Sequence, residues 1–205
     1  PGTGKKEAYV VVPHAYKTRW GESRTSVICG YKIHRSQQVY LSSQVPSTFT
    51  ATGIAFRHDN AENRSARNYW ANLTIDLGYS TRTPSTMSTT FASNISGTMT
   101  RVFSGKVNMP YWTSTNTRLD NWTIQIPFTK PWSYTAQSGK NLLLETTKPS
   151  ASTSSYIYYF IDAVQNYSSP VISRVYSDNG SASSSTGRKS SYFGAVTAFA
   201  VPTTG

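Results

Sequence analysis

Apolar and polar residues alternate along many short stretches of this chain. Clear examples are NYWANLTIDLGYS, TRVFSGKVNMP and NWTIQIPF, and Gly, Pro or Asn interrupts each stretch. Alternation with a period of two places successive side chains on opposite faces of a strand, as in a half-buried antiparallel sheet. The pattern therefore predicts an all-β protein.

We expect about ten strands arranged as a single antiparallel β-sandwich of jelly-roll type. Turn residues separate the segments that carry the strand pattern, and no linker divides the chain. We therefore predict a flexible basic arm at residues 1–8 and one domain at residues 9–205. The strands are predicted at residues 26–34, 36–42, 52–58, 69–77, 99–108, 121–128, 140–147, 156–164, 171–176 and 192–200.

The alternating positions also predict the core and two irregular segments. Residues 80–100 are expected to form a long ordered loop with a short helix, because Met87, Phe91 and Ile95 recur at four-residue spacing. Residues 176–194 are expected to form a long hairpin or an exposed loop. The predicted core residues are Ile54, Phe56, Leu73, Ile75, Val102, Ile124, Ile126, Leu142, Leu144 and Phe160.

Composition and charge narrow the function classes. The 205 residues include 57 Ser and Thr, and 20 Lys and Arg oppose nine Asp and Glu, for a net charge of +11. A basic balance suits nucleic acid, anionic membranes or acidic polysaccharides. The cations are dispersed, which favours a solvated basic surface and argues against nucleic acid as a partner. No stretch approaches the roughly 18 apolar residues of a membrane-spanning helix.

No catalytic signature stands out, and we expect that the protein is not an enzyme. The Gly-x-Ser-x-Gly turn of a nucleophilic serine is missing from the sequence. His14, His34 and His58 are interpreted as structural or surface residues.

A pair of catalytic carboxylates is also not expected. Asp76 and Glu145 occupy outward-facing strand positions, whereas Asp162 lies in the apolar stretch YFIDAV. A glycosidase needs two acids that face one cleft. We expect Asp162 to be buried with an Arg or Tyr as its structural partner.

Weaker signals concern calcium, cysteine and glycosylation. Asp59, Asn60 and Glu62 could supply oxygen ligands to calcium, although Arg57 and other arginines flank this loop. The single Cys29 is predicted to be a small buried residue. The sequence does not decide whether it forms a disulfide with a second subunit. Asn-x-Ser/Thr sequences occur at Asn63, Asn72, Asn94, Asn121, Asn166 and Asn179.

Two sets of residues are candidate binding elements. Tyr9, Val10, Val11 and Val12 form an apolar strand directly after the basic arm. Such a strand can pair within its own sheet or add to the sheet edge of a neighbouring subunit. We predict the second arrangement, and an Asp at Val11 should then abolish assembly while the monomer stays folded. Trp112, Trp132 and Tyr134 are candidates for stacking on sugar rings.

Several segments between residues 35 and 165 resemble known proteins in order and character. They are RSQQVYLSSQVP, TGIAFRHD, NLTIDLGYST, MSTTFASNIS, VFSGKVNMP and WTIQIPFTKPWSYTAQSGKNLLLET. They resemble a loose group of secreted bacterial β-proteins of unassigned function, some of which carry C-terminal sorting segments. The resemblance implies export, a single β-sandwich and a cell-surface or matrix role, and it assigns no functional residues.

Together these observations predict a non-enzymatic, secreted structural protein. It would be a surface, matrix or filament subunit that self-associates by terminal strand addition. One alternative is a carbohydrate-binding, lectin-like domain whose partner is a polysaccharide. A second alternative is a viral coat protein, for which the arm is thin because only Lys5 and Lys6 precede Glu7. No cofactor is expected apart from the calcium candidate.

Overall fold

Antiparallel strands make up almost all of the regular structure. The computed structural model describes residues 8–62, 69–112, 116–150 and 158–203. The described chain contains thirteen strands and three short 3-10 helices, which are His14–Lys17, Ser42–Gln44 and Phe91–Asn94. The strands are β1 (Ala8–Val12), β2 (Ser23–Thr25), β3 (His34–Tyr40), β4 (Thr48–Phe56), β5 (Tyr69–Ser80), β6 (Ser96–Met109), β7 (Ile124–Thr135), β8 (Asn141–Lys148), β9 (Ile161–Gln165), β10 (Ile172–Ser177), β11 (Arg188–Ser190), β12 (Phe193–Ala195) and β13 (Thr197–Val201). The predicted all-β, antiparallel class is confirmed, with thirteen strands in place of about ten.

The strands form three sheets. A six-stranded sheet has the order β11-β10-β3-β8-β5-β6, and a four-stranded sheet has the order β1-β13-β4-β7. A smaller sheet has the order β12-β9-β2. Side chains from all three sheets contribute to one apolar core. Strands β6 and β7 therefore lie at the edges of the two larger sheets, and β1 lies at the opposite edge of the four-stranded sheet.

The central strand β8 is buried on both of its faces. Leu142 and Leu144 point into the main core, whereas Leu143 packs in a second cluster on the other face. The segment that follows β5 covers this other face, because Met87 and Phe91 belong to the second cluster. A strand covered on both sides has a nearly continuous apolar sequence, which explains the run NLLLE. The predicted ordered loop with a short helix is confirmed for residues 81–95.

Nine of the ten predicted core residues are buried, and Phe160 is the exception. Tyr159 and Ile161 are fully buried on either side of it. Phe160 stacks on Tyr158 with ring centroids 6.1 Å apart, and the guanidinium of Arg24 lies 4.8 Å from its centroid. The apolar run YYFI gave no alternation from which the inward-facing residues could be read.

The strand predicted at residues 26–34 is wrong. Residues 26–33 form a turn, and β3 begins only at His34. The amide of Gly30 donates a 2.8 Å hydrogen bond to the carbonyl of Ser26. A Cβ at Gly30 would lie 2.4 Å from that oxygen, so the turn requires glycine. The apolar residues Ile28 and Cys29 are buried from a loop rather than from a strand.

The hairpin expected at residues 176–194 is confirmed. Strand β11 pairs with β10 in antiparallel register, from Arg174 opposite Ser190 to Tyr176 opposite Arg188. Residues 1–7 of the predicted arm lie outside the described residues, and β1 begins at Ala8.

Candidate binding groove

The N-terminal strand pairs with the C-terminal strand of the same chain. Tyr9 lies opposite Ala200, Val10 opposite Phe199, Val11 opposite Ala198 and Val12 opposite Thr197. Val11 and Val12 are buried and belong to the main core. Among the described residues β1 has only this one strand partner, so its other edge is open.

Two of the three aromatic residues predicted to stack on sugars are buried. Trp132 is 8% exposed and Tyr134 is 1% exposed, and both lie in the main core. Tyr79 stacks on Tyr134 with ring centroids 5.6 Å apart. The third residue, Trp112, stacks on His58 at 4.5 Å. Because sugar stacking needs an open ring face, we correct the assignment of Trp132 and Tyr134 to core packing.

Among the residues that the structure describes, the exposed aromatic ones are different. Trp70 is 54% exposed, Tyr111 61%, Tyr158 47% and Tyr167 66%. Sequence reasoning missed Trp70, although the signal was present in the alternation of β5. Its neighbour Ala71 is buried, and Trp70 shares the polar phase of the strand with the exposed Asn72. An indole on the polar face of a strand is not needed by the core.

Trp70 forms part of the wall of an open groove of about 440 Å³ between β6 and β7. We call this feature the Trp70 groove, and its walls include Trp70, Phe103, Lys106, Asn108, Gln125 and Pro127. The edge strands of the two larger sheets meet where the Thr129 hydroxyl donates to the carbonyl of Val102 at 3.0 Å. The groove therefore follows the seam between the two sheets.

The polar side chains of the groove are held by regular strands. Asn108 lies directly opposite Trp70 across the β5–β6 pair, and Lys106 lies two residues earlier on the same exposed face. From β7 the exposed Gln125 donates to the carbonyl of Trp122 at 3.1 Å, which fixes its amide. An exposed indole, an ammonium group and two amides thus line one concave surface, and a ligand site typically combines apolar and polar groups in this way.

A second aromatic and polar cluster surrounds a buried ion pair. Arg57 and Asp162 are fully buried, and their closest side-chain atoms, Nη2 and Oδ2, are 2.7 Å apart. The guanidinium also donates to the carbonyls of Leu119, Tyr16 and Arg19 at 2.9 to 3.1 Å. The prediction of a structural Arg partner for Asp162 is confirmed.

The carboxylate of Asp162 has a second partner, and two indoles cover Arg57. The amide of Gly21 donates to both carboxylate oxygens of Asp162, at 3.0 and 3.1 Å. The rings of Trp20 and Trp122 lie 4.8 and 5.2 Å from the guanidinium carbon of Arg57. Burial raises the pKa of Asp162 to about 6, against the opposing effect of Arg57. The cluster holds distant segments together, and its two charged side chains are fully buried.

The candidate calcium ligands Asp59 and Glu62 have protein partners. Both residues are 3% exposed. Glu62 forms a 3.2 Å ion pair with Arg24, and the backbone amide of Ala61 donates to the Asp59 carboxylate at 3.1 Å. Within residues 8–62, 69–112, 116–150 and 158–203, no group of three or more His, Cys, Asp or Glu could hold a metal ion.

Asp76 and Glu145 lie on the outer face of the six-stranded sheet but are buried there. They face each other across β5 and β8, and two arginines bind them. Arg101 binds Asp76 through two hydrogen bonds of 2.8 and 3.1 Å. Arg35 and Gln37 donate to Glu145 at 3.0 and 2.9 Å. These contacts compensate the repulsion between two opposed carboxylates.

The three histidines differ in burial. His34 and His58 are fully buried, whereas His14 is exposed on the first 3-10 helix. The His34 Nε2 atom contacts the Thr146 hydroxyl at 3.0 Å, and the His58 Nδ1 atom lies 3.1 Å from the carbonyl of Asp59. Burial lowers the pKa of His58 to about 4 and that of His34 to about 3.

Cys29 is buried, whereas the asparagines of the glycosylation sequences range from buried to exposed. Cys29 is fully buried, and burial raises the pKa of its thiol. Asn94 is 1% exposed, and its amide donates to Gln37 and to the carbonyl of Ser88. The exposed members of the set are Asn72, Asn121 and Asn179, Asn166 is half-buried, and Asn63 lies outside the described residues.

Comparisons of this chain with protein-family models, with curated proteins and with solved structures find no match. Among the helices of the described residues, none has the length and apolar character needed to cross a membrane.

Proposed function

We propose that this protein is a non-enzymatic, extracellular polysaccharide-binding protein that holds its ligand in the Trp70 groove. The observation that carries the proposal is an indole that is 54% exposed on the wall of an open groove. A large aromatic side chain usually buries its surface in a core or an interface. Here the core does not need the ring, so a ligand is its expected partner.

The residues around Trp70 match the chemistry of sugars. A sugar ring presents C–H groups on its faces, which stack on an indole, and hydroxyl groups around its rim. The amides of Asn108 and Gln125 can both donate and accept hydrogen bonds, as binding of hydroxyls requires. Among the described residues of the groove wall, Lys106 is the one charged side chain. Together with the net charge of +11, it favours neutral or acidic polysaccharides.

We also propose how the sheets are arranged in layers. We infer a β-sandwich in which the six-stranded and four-stranded sheets are the two layers. Supporting residues are Leu73 and Leu142 of the larger sheet and Ile54 and Phe199 of the smaller one, which share one core. The jelly-roll connection and the secreted, cell-surface location remain predictions, the second resting on the resemblance to secreted bacterial β-proteins.

Retention on immobilised polysaccharides tests the proposal. The panel contains xylan, hydroxyethylcellulose, soluble starch, polygalacturonate and alginate, and wild type is compared with the variants Trp70→Ala and Tyr167→Ala. We expect wild type and Tyr167→Ala to be retained by at least one polymer, and Trp70→Ala to lose about tenfold in affinity. Tyr167 is the matched control because it is 66% exposed and does not line the groove. Equal retention of Trp70→Ala, or no retention of the wild type, would overturn the proposal.

A second candidate function is self-association through β1. The supporting observation is that β1 lies at the edge of its sheet and that Tyr9–Val12 carries no charge. Such an edge invites pairing with another chain. Val11→Asp is unsuitable as a test, because Val11 is 5% exposed and an Asp there would destabilise the monomer.

Ala8→Lys is the better variant, since Ala8 is exposed at the start of β1. Light scattering should show oligomers of the wild type that this variant disrupts, while its unfolding temperature stays unchanged. A wild type that remains a monomer, or oligomers that persist in Ala8→Lys, would contradict this candidate.

A further inference from the structure

A second depression lies on the outer face of the four-stranded sheet. It has a volume of about 290 Å³, and its lining includes Tyr9, Thr52, Gly53, Gln125, Pro127 and Ala200. We call it the Tyr9 depression. It is open to solvent, and it begins where the Trp70 groove ends.

The register of the sheet explains the shape of the depression. Tyr9 lies opposite Ala200, Ala200 opposite Gly53, and Gly53 opposite Pro127, so these four residues form one row across β1, β13, β4 and β7. The two central members are small and the two outer members are large, which leaves a trough between Tyr9 and Pro127. A Cβ at Gly53 would lie 3.0 Å from the carbonyl oxygen of Ile126, which is a crowded contact. Because glycine has no side chain, the bottom of the depression at this position is formed by backbone atoms.

The depression and the groove share one wall. Gln125, Ile126 and Pro127 of β7 line both of them. Adjacent strands are about 4.8 Å apart, so the row from β7 to β1 adds roughly 14 Å to the length of the groove. The combined surface runs from the indole of Trp70, past the amide of Gln125, to the half-buried ring of Tyr9. That length exceeds a single sugar ring.

We propose that the Tyr9 depression is a second subsite and that the ligand is an internal segment of an extended polysaccharide chain. This inference rests on the proposed function of the Trp70 groove. Both subsites open to solvent and adjoin each other along β7, so one chain can lie across them without a free end. Tyr9 then forms a wall against the distant sugar units, and Gln125 contacts the units between the two rings.

Calorimetric titration with an oligosaccharide ladder tests the inference. The probes are fragments of two to eight sugar units prepared from whichever polymer of the panel retains the wild type. We expect affinity to rise on the order of tenfold from the shortest to the longest fragment. Tyr9→Ala should remove this gain and leave the affinity for the disaccharide unchanged, whereas Trp70→Ala should weaken binding at every length. Tyr9→Phe keeps the ring and should keep the gain.

The outcomes separate the two proposals. Equal affinity for all fragment lengths in a wild type that binds would overturn the second subsite and leave the Trp70 groove standing. A gain that survives in Tyr9→Ala would do the same. If Tyr9→Ala does not fold, the length series of the wild type still decides, because equal affinity for all fragment lengths overturns the second subsite. Failure of the wild type to bind any polymer of the panel would overturn both proposals.

Discussion

Polar side chains meet indole rings in two regions of this molecule, with opposite results. Around Arg57 the indoles of Trp20 and Trp122 enclose a fully buried ion pair. In the Trp70 groove the indole and the nearby Lys106 and Asn108 are exposed. The residue types are similar, so composition alone cannot tell a structural cluster from a binding surface.

The difference lies in how many partners the protein itself supplies. Arg57 donates to three backbone carbonyls and to Asp162, which in turn accepts from Gly21. A buried cluster with all its partners rigidifies the fold, and a ligand would gain nothing there. In the groove, strands fix the positions of the polar groups, and the side chains of Lys106 and Asn108 are exposed to solvent. The comparison teaches that exposure and available hydrogen-bonding groups mark the binding surface.

Breaking the buried pair should have the largest effect. Asp162→Ala leaves the Arg57 guanidinium buried and unpaired, and we expect a loss of about 3–5 kcal/mol in the free energy of unfolding. The matched control is Asp120→Ala, because Asp120 pairs with Arg118 at 3.0 Å on the surface. Urea denaturation should show an unchanged midpoint for the control. Equal midpoints for the two variants would contradict the structural role of the buried pair.

Truncating a core indole should cost a similar amount of stability without changing binding. Trp132 is 8% exposed, and Trp132→Ala creates a cavity that should destabilise the protein by about 3–5 kcal/mol. Trp70→Ala should change stability by less than about 0.5 kcal/mol, as surface substitutions usually do. Denaturation curves and polysaccharide retention are measured on both variants. Loss of retention in a folded Trp132→Ala would show that the original assignment of this residue to sugar stacking was correct.

Acid should lower the free energy of unfolding through His58. Burial lowers the pKa of His58 in the folded state to about 4, whereas the unfolded chain takes up the proton near pH 6.5. The stability that the neutral ring contributes is therefore present above pH 6.5 and is lost as the pH falls towards 4. The slope approaches about 1.4 kcal/mol per pH unit.

The variant His58→Gln isolates the contribution of His58 to the pH dependence of the free energy of unfolding. The difference in free energy of unfolding between wild type and variant should narrow from pH 7 to pH 4.5. Other titrating groups are common to both proteins and cancel in this difference. A difference that stays constant across this range would contradict a neutral buried His58.

A charge change in the groove should have the smallest effect. Lys106 lines the Trp70 groove, so Lys106→Glu should weaken binding of polygalacturonate a few-fold and spare neutral polymers. Lys17→Glu is the control, because Lys17 is exposed on the first 3-10 helix. Retention is compared at low and high salt, since screening should reduce the effect. An equal loss in both variants would assign the effect to net charge.

Alternation was enough to predict the sheets and most of the core. Its failures occurred where alternation was missing, as in the run YYFI, or where a loop supplied core residues, as at Ile28. Trp132 and Tyr134 share the inward phase of Ile124 and Ile126, so extending β7 to Thr135 would have predicted their burial. The sequence predicts a strand that ends at residue 128, whereas β7 continues to Thr135.

The candidate site was harder to predict because it depends on pairing between distant segments. Trp70, Lys106 and Gln125 come from three strands, and only the packing of the two larger sheets against each other brings β6 next to β7. The acid Asp162 could be assigned an Arg or Tyr partner from the cost of burying a charge. That the partner is Arg57, 105 residues away, follows only from the tertiary structure.

The most direct test measures binding and stability together for Trp70→Ala and Asp162→Ala. The ligand is the polysaccharide that retains the wild type, and titration is done at a temperature where all three proteins are folded. The account predicts that Trp70→Ala loses about tenfold in affinity with unchanged stability, and that Asp162→Ala loses stability with unchanged affinity. Parallel losses of affinity and stability in both variants would contradict the division into a structural cluster and a binding groove.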